Sequence, residues 1–198
     1  MNIKEWFLGN GKSVSMIENL LDNTNEEIEA VRSFWDWKEP LELSISNLLK
    51  IDKLKAVNDE IYIFENPAVF KSVMEKVGDN ASIICTSGQL NLSSYILIDK
   101  ITNLKNIYYA GDFDPEGLII ADKIKKRYKD KVKFILYDKL TYKKIKSSKP
   151  ITKTRLSSLD NIQAEELMEI KNVLENEKLA AYQELLIDEY INIINNQL

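Results

Sequence analysis

The chain has 198 residues, no histidine, one cysteine, 27 Lys and Arg against 31 Asp and Glu, and 44% apolar residues. Without imidazole there is no Ser-His-Asp or Cys-His catalysis, no classical zinc finger and no facial-triad iron site. The lone Cys85 forms neither an internal disulfide nor a thiolate cluster, which leaves carboxylate, lysine, arginine and hydroxyl groups, a set suited to a hard cation such as Mg²⁺.

The first forty residues read as helical. Ser13 or Ser15 is placed to cap a helix through Leu21, and Asn25 to cap another through Trp37, with Glu26, Glu27 and Glu29 favouring its amino-terminal turn. Ile28, Val31, Phe34 and Trp35 share one face, and packing accounts for this aromatic stripe together with Trp37. Pro40 ends the element, and Leu41 to Leu54 reads as a connection or helical turn.

A strand-then-helix rhythm starts near residue 61. Ile61 to Phe64, Ala81 to Cys85, Asn106 to Ala110 and Val132 to Tyr137 have the β-branched and aromatic content of buried strands. Pro67 to Val77, Leu90 to Ile101 and Glu116 to Tyr128 separate them at helical length. Apolar runs divided by helices predict an α/β fold, a mostly parallel Rossmann-like sheet covered by helices. Lys139 to Ser158 reads as loop or short turns with room for a short strand. From about Asn161 the chain reads as helical, with one stripe through Leu167, Ile170, Val173 and Leu174 and another through Leu179, Tyr182, Leu185, Leu186, Glu189, Tyr190 and Ile193. The organisation is a helical extension over 1–54, an α/β domain over 55–158 and a helical segment over 159–198.

Charge is unevenly placed along this plan. Residues 1–121 sum to -8, residues 122–155 to +11 and residues 156–198 to -7. The basic tract offers a phosphate-facing surface, with Lys123, Lys125, Lys126 and Arg127 as candidate DNA-backbone contacts. No stretch approaches 18 apolar residues and the amino terminus has no signal-peptide core, so a soluble cytoplasmic protein is the expectation.

Ligands of open parallel sheets bind past the carboxyl ends of the strands. Glu65 stands at one such end. Asp112 and Asp114 stand at another, within Gly111-Asp-Phe-Asp-Pro-Glu-Gly117. In extended chain, residues two apart project to one side, so Asp112 and Asp114 can share an ion while Phe113 packs the other way. Gly111 and Gly117 reduce crowding. A bound Mg²⁺ or Mn²⁺ would relieve repulsion among Glu65, Asp112, Asp114 and Glu116; helix capping is the plain structural role for Asp114. Ser87, Gly88 and Gln89, past a third strand end, are candidate phosphate or water contacts.

The ordered set of Glu65 and the Asp112-Phe-Asp114 pair resembles the topoisomerase-primase (Toprim) domain, with Asp112 to Ile120 most like the aspartate motif of topoisomerase VI A subunits. Phe64-Glu-Asn-Pro-Ala-Val69, Cys85-Thr-Ser-Gly-Gln89 and Gly111 to Gly117 together look like the carboxy-terminal Toprim domain of Wadjet-type plasmid-defence nuclease subunits and their bacterial relatives. Tyr182-Gln-Glu184 resembles a further recurrent element of those relatives. The resemblance implies a Toprim-like fold and cleavage of DNA phosphodiesters by activated water. Asp112 and Asp114 would hold one or two divalent ions, Glu65 would share a metal or act as general acid or base, and Glu116 would be an outer ligand. It also implies partnership with an SMC-like ATPase complex, and homodimerisation, since the relatives often work as dimers.

Departures accompany it. The amino-terminal fifty residues do not resemble the winged-helix domain of topoisomerase VI A, none of the nine tyrosines sits in a nucleophile motif, and the chain is shorter than the full defence subunit, so a truncated member or one domain of a larger machine is expected. The main alternative is a noncatalytic Toprim-like module for nucleic-acid binding or assembly. A phosphatase-like or receiver-like domain lacks its expected first-strand Asp, and a priming polymerase lacks recognisable nucleotide-binding elements.

Overall fold

The computed structural model describes residues 6–9, 12–15, 17–22, 33, 37 and 40–196. In chain order the strands are β1 (Trp6–Gly9), β2 (Lys12–Ser15), β3 (Ile17–Asp22), β4 (Leu41–Glu42), β5 (Ile51–Ala56), β6 (Glu60–Phe64), β7 (Ser82–Cys85), β8 (Asn106–Ala110), β9 (Val132–Phe134), β10 (Lys146–Pro150) and β11 (Leu179–Ala181). The helices are α1 (Ile45–Leu48), α2 (Pro67–Val77), α3 (Leu92–Asp99), α4 (Pro115–Tyr128), α5 (Lys139–Ile145), α6 (Lys153–Leu156), α7 (Met168–Glu177) and α8 (Ile187–Asn196).

The seven-stranded main sheet runs in the order β4-β1-β2-β7-β6-β8-β9. Its centre, β7-β6-β8-β9, is parallel throughout, as the alternation of apolar runs and helices predicts. The fold is therefore α/β, a central parallel sheet flanked by helices. Observed strands match the predicted runs closely, except that β9 stops at Phe134: Leu136 adopts a left-handed φ of 49° and turns the chain out of the sheet. Helix α2 begins as its sequence dictates, with Asn66 accepting the Ala68 N–H at the cap and Pro67 at the first helical position.

Two helical expectations are corrected. Residues 12–15 and 17–22 form β2 and β3 instead of a helix from Ser13 or Ser15 to Leu21. The reason is pairing at a distance. Strand β2 adds antiparallel to the otherwise open edge of β7, aligning Val14 with Ile84 and Ser15 with Ile83, while β3 pairs with β5. Of the second expected helix, Asn25 to Trp37, only Ser33 and Trp37 are described; Trp37 is 76% exposed, and the rest of the aromatic stripe lies outside the described residues.

Residues 179–181, expected to continue a helix, form β11. Lys178, in a left-handed conformation, closes α7, and the chain reverses to pair β11 with β10. The expected second helical stripe is thereby divided: Leu179 belongs to a strand, and Tyr190 and Ile194 face the core from α8, which packs on α2. Phe64, Tyr109, Phe113, Tyr142 and Tyr190 are the largest fully buried side chains around this junction.

Candidate functional site

Within the parallel centre of the sheet the chain runs first along β6, passes to β7 on one side, then crosses to β8 on the other. Connections that leave neighbouring strands in opposite directions open a crevice between their carboxyl ends. Strands β6 and β8 pair in register up to Phe64 and Ala110, so Glu65 and the Gly111-Asp112 turn emerge side by side into that crevice.

The turn is tightly held. Asp112 accepts the Gln183 backbone N–H at Oδ1 (3.0 Å), and the Tyr137 hydroxyl donates to the Asp112 carbonyl (2.8 Å). Phe113 is fully buried, its ring 4.8 Å from that of Tyr137, and it exchanges backbone hydrogen bonds with Ala181 (2.9 and 3.1 Å). Asp114 caps α4 by accepting the Gly117 N–H (2.9 Å), the capping role open to it from sequence. The glycines are required by crowding: a Cβ at Gly111 would collide with the Tyr109 hydroxyl, and one at Gly117 with the Asp112 carbonyl.

The four acidic residues divide into two pairs. Burial, reinforced by the charges of Asp112, Asp114 and Glu116, pushes the Glu65 carboxyl up to about 7, although the Asp112 N–H donates to it. Burial also pushes Asp112 up to about 6, against the opposing bond from Gln183. Asp114 and Glu116, in contrast, share Arg155. The guanidinium reaches Asp114 Oδ2 at 2.6 Å and Glu116 through Nε at 2.9 and 3.0 Å, with Nη2 also on Glu116. Arg155 holds the Glu116 carboxyl below its ordinary range, while burial keeps Asp114 somewhat above its own. The fixed positive charge thus serves one half of the cluster.

The fit of a divalent cation follows from these groups. Glu65 and Asp112 supply oxygen donors only, and Glu65 Oε2 is buried with no hydrogen-bond partner, a state in which a carboxylate oxygen is costly unless something binds it. This pair suits Mg²⁺ or Mn²⁺, since Mg²⁺ is commonly held by one or two carboxylates together with water and phosphate oxygens. Asp114 and Glu116 do not join the pair while Arg155 holds them. Among the described residues no group of three or more His, Cys, Asp or Glu side chains is gathered closely enough to cage a metal ion.

The remaining expected residues form the rim. Ser87 and Gly88 have left-handed φ values of 46° and 93°, and the Gly88 N–H donates to the Glu65 carbonyl (3.3 Å), which ties this turn to the crevice. Gln89 accepts from Lys123 Nζ at 2.8 Å. The helix after the turn starts at Leu92, capped by Asn91, instead of at Leu90. The four basic residues proposed to meet DNA all have internal partners. Besides the Lys123 contact, Lys125 pairs with Glu166 (2.7 Å), Lys126 with Asp122 (2.7 Å), and Arg127 with Asp99 while lying over Tyr95.

Sequence reasoning missed Arg155 as a member of the site. It lies 39 residues beyond Glu116 in a lysine-rich tract, where nothing local distinguishes it. Gln183 stood within the Tyr182-Gln-Glu184 element but carried no assigned role, and its neighbour Glu184 accepts from Asn66 at 2.6 Å across the crevice.

These observations define an α/β protein with an acidic crevice at the carboxyl ends of two parallel strands. The chain belongs to the family described as "Protein of unknown function C-terminus (DUF2399)", which matches residues 41–194. No curated protein matches it.

Proposed function

We propose that the chain is a Toprim-like module that engages DNA phosphates at the acidic crevice with the help of a divalent cation, Mg²⁺ or Mn²⁺. The observation that carries this reading is the pair Glu65 and Asp112 at adjacent strand ends, with Glu65 Oε2 buried and unpartnered. A cation there would neutralise the pair and bridge it to a phosphate oxygen. As arranged, the crevice is better suited to binding or assembly than to cutting, because Arg155 already takes up Asp114 and Glu116.

Hydrolysis of the phosphodiester is the second reading. It is favoured by the Glu65 carboxyl, whose pKa of about 7 suits proton transfer near neutral pH. In that case Glu65 would exchange a proton with the attacking water or the leaving oxygen, and Asp112 would help to hold the cation. The test has two arms. Fluorescently labelled duplex DNA is titrated with the protein in Mg²⁺, in Mn²⁺ and in EDTA, and supercoiled plasmid is incubated under the same conditions. Cation-dependent binding that Asp112→Ala removes, with the plasmid intact, supports the first reading. Nicking lost in Asp112→Ala and Glu65→Gln establishes the second. DNA affinity identical with and without cation, in wild type and Asp112→Ala alike, together with an intact plasmid, overturns both.

A further inference from the structure

Gln183 is fully buried, at 0% exposure, and neither Nε2 nor Oε1 of its amide makes a well-formed hydrogen bond, its interaction with the Asp112 carboxylate falling short of one. A glutamine that serves only to fill space is poorly explained by such a place. Transferring an unpaired amide from water to the interior is unfavourable, and an apolar side chain of similar length would fill the volume without that penalty. What surrounds the amide gives it a purpose. Its own backbone N–H binds Asp112 Oδ1 at 3.0 Å, and the side-chain amide faces the same carboxylate closely enough to oppose the rise in its pKa.

The neighbourhood repeats the pattern. Tyr190, from α8, has a buried hydroxyl without a partner and lies within electrostatic reach of Asp112. Its ring packs edge-on against Phe64, 5.1 Å away, immediately before Glu65. Glu65 Oε2, the Gln183 amide and the Tyr190 hydroxyl are thus buried polar groups gathered around Asp112. Strand β11 brings Gln183 there: the hydrogen bonds between Ala181 and Phe113 place the next residues along the Asp112 side of the turn.

We propose that Gln183 is a positioning residue of the crevice, retained as an amide to fix the Asp112 carboxylate for a divalent cation. The inference rests on the cation reading above and assigns to the carboxy-terminal segment a part in the site. Groups that orient a metal-binding carboxylate typically change metal affinity by about 10–100-fold when removed. A residue serving packing alone would leave affinity unchanged.

The test uses the full chain and Mn²⁺ as the probe, with free Mn²⁺ followed by electron paramagnetic resonance and folding by thermal denaturation in EDTA. Gln183→Met preserves the length of the side chain and removes the amide, and Gln183→Leu serves as a second variant. The expected result is Mn²⁺ affinity about 10–100-fold weaker in both, with a Tm in EDTA equal to or above that of wild type. Equal affinity in wild type and a folded variant overturns the role of Gln183 and leaves the cation reading standing. A wild type that does not bind Mn²⁺ overturns both. Loss of folding in both variants also overturns the positioning role, because it makes the amide a structural requirement.

Discussion

Replacing Arg155 with methionine isolates the charge balance of the crevice. The guanidinium is the counter-ion shared by Asp114, whose side chain is 14% exposed, and Glu116, which is 46% exposed; Arg155 itself is 33% exposed. Breaking a fully buried ion pair by deleting one partner costs about 3–5 kcal/mol, and breaking a surface pair about 0–1 kcal/mol. Water can replace the guanidinium at Glu116 but only poorly at Asp114, which keeps its cap bond to Gly117. The loss is therefore intermediate, about 2 kcal/mol. For a chain of this size it corresponds to a fall in Tm of roughly 4–8 °C, measured by calorimetry in EDTA. The released Asp114 and Glu116 would then strengthen cation binding. Mn²⁺ at about 100 times its dissociation constant adds about 2.7 kcal/mol, and the Mn²⁺-induced rise in Tm should be larger in Arg155→Met than in wild type. An unchanged Tm in EDTA would refute the counter-ion role, and equal Mn²⁺ shifts in the two proteins would refute competition between Arg155 and the cation.

Three further outcomes are expected. Glu65 has a folded-state pKa raised from 4.5 to about 7, so its contribution to stability is fully present below about pH 4.5 and is lost as pH rises to about 7. The difference in stability between wild type and Glu65→Gln in EDTA should change by about 3 kcal/mol across that window, and a pH-independent difference would contradict the burial of this carboxyl. Gly117→Ala reverses the usual benefit of alanine in a helix, because the new methyl meets the Asp112 carbonyl; chemical denaturation should show a loss of about 1–3 kcal/mol, and a stabilised variant would mean that the turn relaxes freely. Asp122, 4% exposed, accepts the N–H groups of Gln163 and Ala164 at 2.9 and 2.8 Å as well as Lys126. Asp122→Ala should destabilise the fold by about 2–3 kcal/mol without altering Mn²⁺ affinity, which would separate this anchor from the crevice.

Much of the central fold is legible in the sequence because its signals are local. The runs Ile61 to Phe64 and Asn106 to Ala110 are too apolar and β-branched for a surface. Asn66-Pro67 and Asp114-Pro115 mark helix starts by capping and by the fixed φ of proline, and both starts occur where expected. From those starts the positions of Glu65, Asp112 and Asp114 at strand ends follow directly. The strands outside the parallel centre were not legible. Strand β2 forms because β7 offers an unpaired edge, and β11 forms because Phe113 and β10 accept it; each partner is remote in sequence, and helical spacing within the segment itself is no guide to that choice.

The sequence by itself thus determined the elements that carry the acidic residues, together with the all-oxygen donor chemistry that follows from the absence of histidine. Only the tertiary structure decided how those charges are shared. It committed Asp114 and Glu116 to Arg155, gave Lys123, Lys125, Lys126 and Arg127 internal partners, and brought the Gln183 N–H onto the Asp112 carboxylate. The physical reason is that a charge or a buried amide is defined by what lies within a few ångströms of it, and here those neighbours come from segments up to 71 residues away.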